Sequence, residues 1–435
     1  MIDQHPELYE SFQWLIPTHF NIAQACLHQW AQNPSEGRRV AVFHENAQGD
    51  VDIWSYARLV STSNQLSNAL LKMGVSRGDR VAIMMGQRPE SIVACMAVFA
   101  VGAIVVPLQT TLNTHELAFC LNDAQIRVAI IDAKSLPGLL QAQSLSPELS
   151  QIVGLDFEHE YTILWRTLLA RQPAMFAPVN TRSDSPALLF YTRQESRQLG
   201  VLLSHGALLG NLPGFVASQN WFPQRADVFW TPIDWRTHSG LMNALLPVLY
   251  FGYPIVSTLD PLTPSAALDV IARYKVTNTY MGASTLARLA ATRQLAASDT
   301  ASSLRAIALE GSSQSDPAAN GAQAAFGLQP NALITTPETG CIVCQSHQKW
   351  PSESGSQGKP VPGHQVALLD ARGAHCRTGA KGTLALNRND VHGHPDPSFF
   401  LGYWRNEPAT LQRMHGPWFL TCETAKRDEN NTYWQ

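Results

Sequence analysis

The chain has 435 residues, a formal net charge of -3, 15% charged and 45% hydrophobic side chains. That length suggests two or three domains or subdomains around a large buried core, and the composition excludes a disordered, collagenous or coiled-coil chain. The near-neutral charge leaves no electrostatic footprint for nucleic acid or an anionic membrane. Seven cysteines without framework spacing predict reduced thiols and a cytoplasmic setting.

In chain order, the opening MIDQHPELYESFQW lacks the basic region and apolar core of a signal peptide. Leu59, Leu66, Leu70 and Leu71 fall near helical spacing and predict an amphipathic helix over 56–73. VAIMM (81–85) reads as a short strand. The apolar run 92–108 is at the short limit for a membrane span. Gly102 and Pro107 interrupt it, so it reads as a buried helix from Pro89 to about Val101, a glycine stop and a buried strand, with no membrane span. A helix around 114–123 and a strand at 128–132 continue the alternation expected of a parallel sheet covered by helices. Residues 133–178 read as a less regular surface excursion. Strands are predicted at 187–191, within VFWTP (228–232), and at 254–258, 277–282 and 304–311, with a helix over 241–250. Beyond about Lys359, VPGHQVALLD and KGTLALN between glycine turns predict antiparallel β-structure. The chain divides on this pattern into subdomains 1–180, 181–355 and 356–435. Cys341 and Cys344 form a lone CxxC without the second pair that zinc would need, and no metal site is predicted.

Seven segments then occur in order: FNIAQACLHQWA (20–31), GVSRGDRVAIMM (74–85), GAIVVPLQT (102–110), GVLLSHGALLGNLPG (200–214), DVFWTPIDW (227–235), GKPVPGHQVALLD (358–370) and FFLGYWRNEPAT (399–410). Together they resemble the adenylate-forming (AMP-binding) acyl-CoA synthetases, in particular the acetyl-CoA and medium-chain acyl-CoA branch, over about residues 18–435. The resemblance implies an α/β fold: two parallel-type sheets layered with helices plus a small C-terminal β-barrel-like subdomain. It also implies activation of a carboxylate by ATP to an acyl-adenylate, transfer to coenzyme A, and a mobile C-terminal domain carrying a catalytic lysine.

The departures from that pattern fall on the chemistry. The family's phosphate loop reads roughly YTSGTTGxPKGV. Here Tyr191 and Thr192 are followed by Arg193, Gln194, Glu195, Ser196, Arg197, Gln198, Leu199, Gly200 and Val201, one residue shorter. The interior glycines are gone, and no lysine occurs between Lys134 and Lys275. Glycines let backbone N–H groups curl around a phosphate and a lysine neutralises it. Losing several such contacts, with Glu195 adding repulsion, would cost more than about 4 kcal/mol, or about a thousandfold in affinity. Arg193 and Arg197 are the only replacements for the lysine. This loop is expected to offer no open anion nest.

Where the family reads NExYGQTE, this chain has Asn331 to Glu338: Ile334 matches the tyrosine that packs on adenine, Thr335 the glycine and Pro337 a threonine. Glu338 matches the magnesium-associated glutamate. In place of WxxTGD stand Trp418 to Thr421, Cys422 and Glu423, the last matching the ribose aspartate with one more methylene. Thr192, Glu338 and Glu423 are thus remnants of a nucleotide site. In place of DWAWIGG stand Asp234, Trp235, Arg236, Thr237, His238, Ser239 and Gly240. Trp235, His238 and Gly240 are acyl-pocket candidates. His238 and His205 are the weak candidates for acid–base work, against a structural role for each. TYW (432–434) matches the segment before the family's hinge, so the family's C-terminal domain is expected to be absent.

The function expected is that of a degenerate acyl-CoA synthetase-like protein that has lost ATP-dependent adenylation, needs no cofactor, and binds a carboxylate, an acyl ligand or a protein partner. Half of a split ligase, using ATP, Mg and CoA with a separate C-terminal domain, is one alternative. An assembly partner of an active homologue, as a homo- or heterodimer, is another.

Overall fold

The computed structural model describes residues 2–46, 48–194, 197–258, 262–295, 303–310, 317–353 and 355–435. Short apolar strands, many of them followed by a helix, build two open sheets. In the helix Tyr56–Lys72, Ser55 caps the N-terminus by accepting from the Arg58 N–H; Leu59, Leu66 and Leu70 face inward, whereas Leu71, one residue further round the helix, is exposed. In Thr114–Asp123 a reciprocal capping box joins Asn113 and Glu116. The helix Pro89–Ala100 is buried at every position but Glu90, and Gly102 (φ +75°) stops it before the buried strand Ile104–Pro107. Its uniform apolarity therefore reflects a core helix, and among the described residues no helix is long and apolar enough to cross a membrane.

The first sheet has eight strands. In spatial order they are Gly402–Tyr403, Arg197–Ser204, Pro186–Gln194, Ile104–Pro107, Arg80–Met84, Val128–Asp132, Gln151–Leu155 and Ile163–Leu164. From Pro186–Gln194 onward the neighbours are parallel, while Arg197–Ser204 and Gly402–Tyr403 add antiparallel pairs at the other edge. The second sheet has nine strands, with a parallel centre running from Asn331–Thr336 through Ala306–Glu310, Asn278–Gly282, Phe229–Trp230 and Ile255–Thr258 to Val40–Glu45. A third, antiparallel sheet holds Val366–Leu369, Lys381–Asn387, Trp418–Arg427 and Met414–His415, with Tyr433–Trp434 on its flank. One large apolar cluster, including Phe99, Leu188, Phe229 and Tyr280, runs between the two α/β layers.

Two expectations need correction. Residues 133–178 are not an irregular excursion. They supply the helices Leu136–Gln143 and Trp165–Ala170 and the strands Gln151–Leu155 and Ile163–Leu164, which extend the first sheet. The sheets also do not follow the linear divisions at 180 and 355. Val40–Glu45 and Val51–Ser55 complete the second sheet, while Pro186–Gln194 and Arg197–Ser204 belong to the first. Hydrophobic periodicity reports which residues are strands but carries no information about which distant edge a strand completes.

The helix Ala207–Ser218 lies against the turn at Ser398, and a Cβ on Gly210 would come within 2.3 Å of the Ser398 backbone nitrogen. Gly210→Ala should therefore lower stability by about 2–3 kcal/mol in a denaturant melt. An unchanged midpoint would show that this helix can move away without cost.

Candidate functional site

The segment matching the phosphate loop is a β-hairpin. Pro186–Gln194 and Arg197–Ser204 pair with one register irregularity between Pro186 and Leu188, and without interruption from Leu188↔Leu203 up to Thr192↔Leu199, Arg193↔Gln198 and Gln194↔Arg197. Glu195 and Ser196, at its tip, lie outside the described residues. An anion nest needs successive N–H groups turned the same way, whereas an extended strand sends them alternately to opposite edges. The same alternation puts Thr192 and Gln194 on one face and Arg193 on the other.

Each side chain goes where that register sends it. Arg193 leaves the site face and pairs with Glu116 of the capping box. Gln194 reaches inward: its Nε2 donates to Glu338 Oε1 at 2.8 Å and lies 3.2 Å from the Tyr403 hydroxyl. Tyr403 also donates to Glu338 Oε1, at 2.9 Å. Glu338 is only 4% exposed, so these two donors stand where solvent or a cation would otherwise be. Burial, and then the neighbouring Glu338, push the Tyr403 phenol well above its ordinary value, so it stays a donor. Thr192 is half-buried and makes no side-chain hydrogen bond among the described residues. Arg197, opposite Gln194, is exposed and has no partner among them.

The adenine and ribose positions are altered in the same direction. Ile334 is buried in an apolar cluster with Ile342, Val343 and Leu384. Thr335 accepts from Asn243 Nδ2 at 3.3 Å. Glu423 accepts from Gln435 Nε2 at 2.8 Å. Arg413 donates to Cys422 Sγ from both terminal nitrogens, at 3.2 and 3.1 Å, and its Nη1 lies 3.5 Å from Gln194 Oε1. Arg413 and Tyr403 were not singled out from sequence. Tyr403 sits inside a matching segment, but nothing there reveals that its hydroxyl meets Glu338.

The acyl segment is placed differently from expectation. A cavity of about 250 Å³ opens where the carboxyl ends of the two sheets meet, lined by Gly86 and Gln87 from one and Trp230, Pro232, Asp234 and Arg236 from the other, with Thr285 and Arg288 at one side. Ligand crevices in open α/β sheets form at this end of the strands. None of Trp235, His238 and Gly240 lines it. Trp235 points into the core at 3% exposure. Gly240 is required by packing, since a Cβ there would sit 2.1 Å from the Asp234 carbonyl oxygen. His238 packs edge-on against Phe190, and its ring makes no hydrogen bond among the described residues. The residues missed are the alternate ones: strand-end chain direction turns Asp234 and Arg236 outward as a bidentate ion pair. Gln87 seals the seam between sheets, donating from Nε2 to the Thr231 and Ile233 carbonyls at 3.1 and 2.6 Å. Its Oε1 and the Trp230 Nε1 are buried without partners on this lining. Arg288 is exposed and has no partner among the described residues.

His205 is also structural. It is fully buried, packs on Phe99, and its Nδ1 accepts from the Ile22 N–H at 3.3 Å, tying the N-terminal helical segment to the hairpin's far end. Cys341 and Cys344 are buried in an interior strand, and no metal-holding group of His, Cys, Asp or Glu occurs among the described residues.

Burial holds the His205 and His238 imidazoles down to about 3. Each is neutral in the folded chain, while the unfolded chain takes up a proton below about pH 6.5. Their stabilising contribution is therefore present above that pH and lost as pH falls toward 3, by up to about 1.4 kcal/mol per pH unit for each histidine. His205→Gln and His238→Gln should each flatten the decline of melting temperature between pH 6.5 and 4; an unaltered slope would mean the ring is not held neutral.

An AMP-binding enzyme family model matches residues 27–404. An uncharacterised acyl-CoA ligase of Bacillus subtilis, YtcI, is 22% identical over 97% of this chain and 77% of its own length. The acetyl-coenzyme A synthetase of Pasteurella multocida is 24% identical over 97% of this chain and 68% of its own length. Among solved structures, a Brucella canis acyl-CoA synthetase superposes with a TM-score of 0.90 at 20% identity, covering 100% of this chain and 79% of its own. An anthranilate CoA ligase solved with anthranoyl-AMP gives 0.86 at 21% identity, covering 96% and 78%.

Proposed function

We propose that this chain, which belongs to the AMP-binding enzyme family, binds a short carboxylate or acyl ligand and does not adenylate it with ATP. The observation that carries this reading is the Gln194 amide seated on the buried Glu338 carboxylate, at the end of a hairpin whose described residues stay extended and paired up to Gln194↔Arg197. A magnesium triphosphate does not fit these residues. Glu338 already has two donors on one oxygen, the adenine position is filled by Ile334 packed into the core, and the cation Arg193 is committed to Glu116.

The ligand belongs in the cavity between the sheets. Arg288 supplies an uncommitted positive charge for a carboxylate, and Gln87 Oε1 and Trp230 Nε1 supply one acceptor and one donor for a polar group beyond it. The volume of about 250 Å³ suits a short acyl group.

A calorimetric titration of Mg·ATP should give no heat of binding at millimolar nucleotide. Micromolar binding, or carboxylate-dependent pyrophosphate exchange, would overturn the reading and return the split ligase, with Arg197 as the replacement cation. Gln194→Ala should destabilise the fold by about 1.5–3 kcal/mol, because it strips a donor from a buried carboxylate, without creating ATP affinity. In thermal-shift titrations with acetate to hexanoate, Arg288→Ala should weaken binding about threefold to tenfold, while Glu423→Gln should leave it unchanged.

A further inference from the structure

Away from the cavity between the sheets, the N-terminal arm and the helix Ala207–Ser218 enclose a second, apolar groove of about 370 Å³. Leu8, Phe12 and Leu15 form one wall, and Leu209, Leu212 and Val216 form the other. The last three fall at helical spacing and are only half-buried, so this face of an otherwise core helix is left without a covering element. The arm is held off it by its own hydrogen bonds. Gln4 N–H donates to the Lys349 carbonyl at 3.0 Å, the Tyr9 hydroxyl to the His364 carbonyl at 2.7 Å, and Trp14 Nε1 to the Gly363 carbonyl at 2.8 Å. Gly363 (φ +96°) leaves room for the Trp14 ring, since a Cβ there would lie 2.5 Å from it. The groove is therefore formed in advance of any occupant.

One charge stands beside a residue of its lining. Lys349 Nζ lies 4.8 Å from the centre of the Trp221 ring, which itself lines the groove. Its one polar contact is the neutral Gln4 Oε1 at 3.2 Å, and no acidic group pairs with it among the described residues. The nearest acid along the arm, Asp3, is committed to Lys359 at 2.6 Å. An apolar trough of ligand size, with an ammonium that has no acidic partner among the described residues beside its Trp221 ring, is complementary to an aliphatic chain ending in a single negative charge.

We propose that this groove is a binding site for a medium-chain aliphatic carboxylate, with the chain along Leu209, Leu212 and Val216 and the carboxylate at Lys349. It is separate from the cavity lined by Gln87 and Arg236, and it holds its ligand without chemistry. The apolar trough sets the affinity, at about fourfold per buried methylene. The lysine sets the preference for an anion, by about threefold to fivefold because it is half-exposed.

The test is calorimetry on the full chain with decanoate and, as its uncharged counterpart, 1-decanol. Decanoate should bind at one site more tightly than octanoate, by roughly fifteenfold for the two added carbons. Val216→Trp, which fills the trough, should abolish binding of both ligands; Leu209→Asn gives the same reading if the tryptophan variant fails to melt cooperatively. Lys349→Gln should weaken decanoate threefold to fivefold and leave decanol unchanged. Leu289 also lines the cavity between the sheets, and Leu289→Trp, which blocks that cavity, should change neither. Decanoate binding that survives both groove variants, or that Leu289→Trp removes, overturns the site. Equal effects of Lys349→Gln on acid and alcohol overturn the head-group assignment. A doubled mass by light scattering that Val216→Trp abolishes, without decanoate binding, assigns the groove to a second copy of the chain and overturns the proposal.

Discussion

A buried carboxylate has to be given donors, and the hydrogen bond from Gln194 to Glu338 is how this chain supplies one. Much else at this end of the molecule depends on it. For Gln194 to reach Glu338, the strand that ends in Gln194 must stay extended to its last residue, and the hairpin must keep the register Gln194↔Arg197. A one-residue slip would turn Gln194 outward and bring Arg193 to the carboxylate. Tyr403 completes the arrangement from the edge strand Gly402–Tyr403, which pairs with Arg197–Ser204. Two elements more than two hundred residues apart in sequence thus meet on one oxygen atom.

The same economy governs the seam between the two sheets. Gln87 follows the strand Arg80–Met84 of the first sheet, and its amide donates to the Thr231 and Ile233 carbonyls, just past the end of a strand of the second. Gly86, beside it, is anchored by donating its N–H to Asp132 at 3.0 Å. Short strands that fan apart at their carboxyl ends leave a wedge, and a single side-chain amide bridging it keeps the wedge open on one side and closed on the other. At Glu338 the chain's own side chains supply the hydrogen-bond donors, whereas the wedge at Gln87 retains free volume.

Much of the scaffold was legible because its signals are local. Apolar periodicity marked the helix Tyr56–Lys72, the buried helix Pro89–Ala100 and the central strands, and glycine at a positive φ marked the turn at Gly102. The loss of the phosphate-loop glycines was legible for the same reason: a residue with a Cβ excludes conformations wherever it stands. Less could be said of the acyl segment. Trp235 and His238 look functional by residue type, yet both are turned into the core, while the less conspicuous Asp234 and Arg236 face the cavity. Which of two adjacent side chains points outward depends on a backbone path that a three-residue helical turn and the Gly240–Asp234 contact decide together.

The sequence by itself determined the fold class, the order of the apolar elements and the absence of a glycine-rich, lysine-bearing loop between Tyr191 and Gly200. These follow from backbone freedom and side-chain hydrophobicity, which each residue carries with it. Only the tertiary structure decided that Val40–Glu45 belongs to the second sheet, that Gln194 rests on Glu338, and that Lys349 stands beside Trp221. Those are pairings between residues remote in the chain. Their energy depends on distance, direction and exclusion of water, and these quantities exist only once the chain has packed.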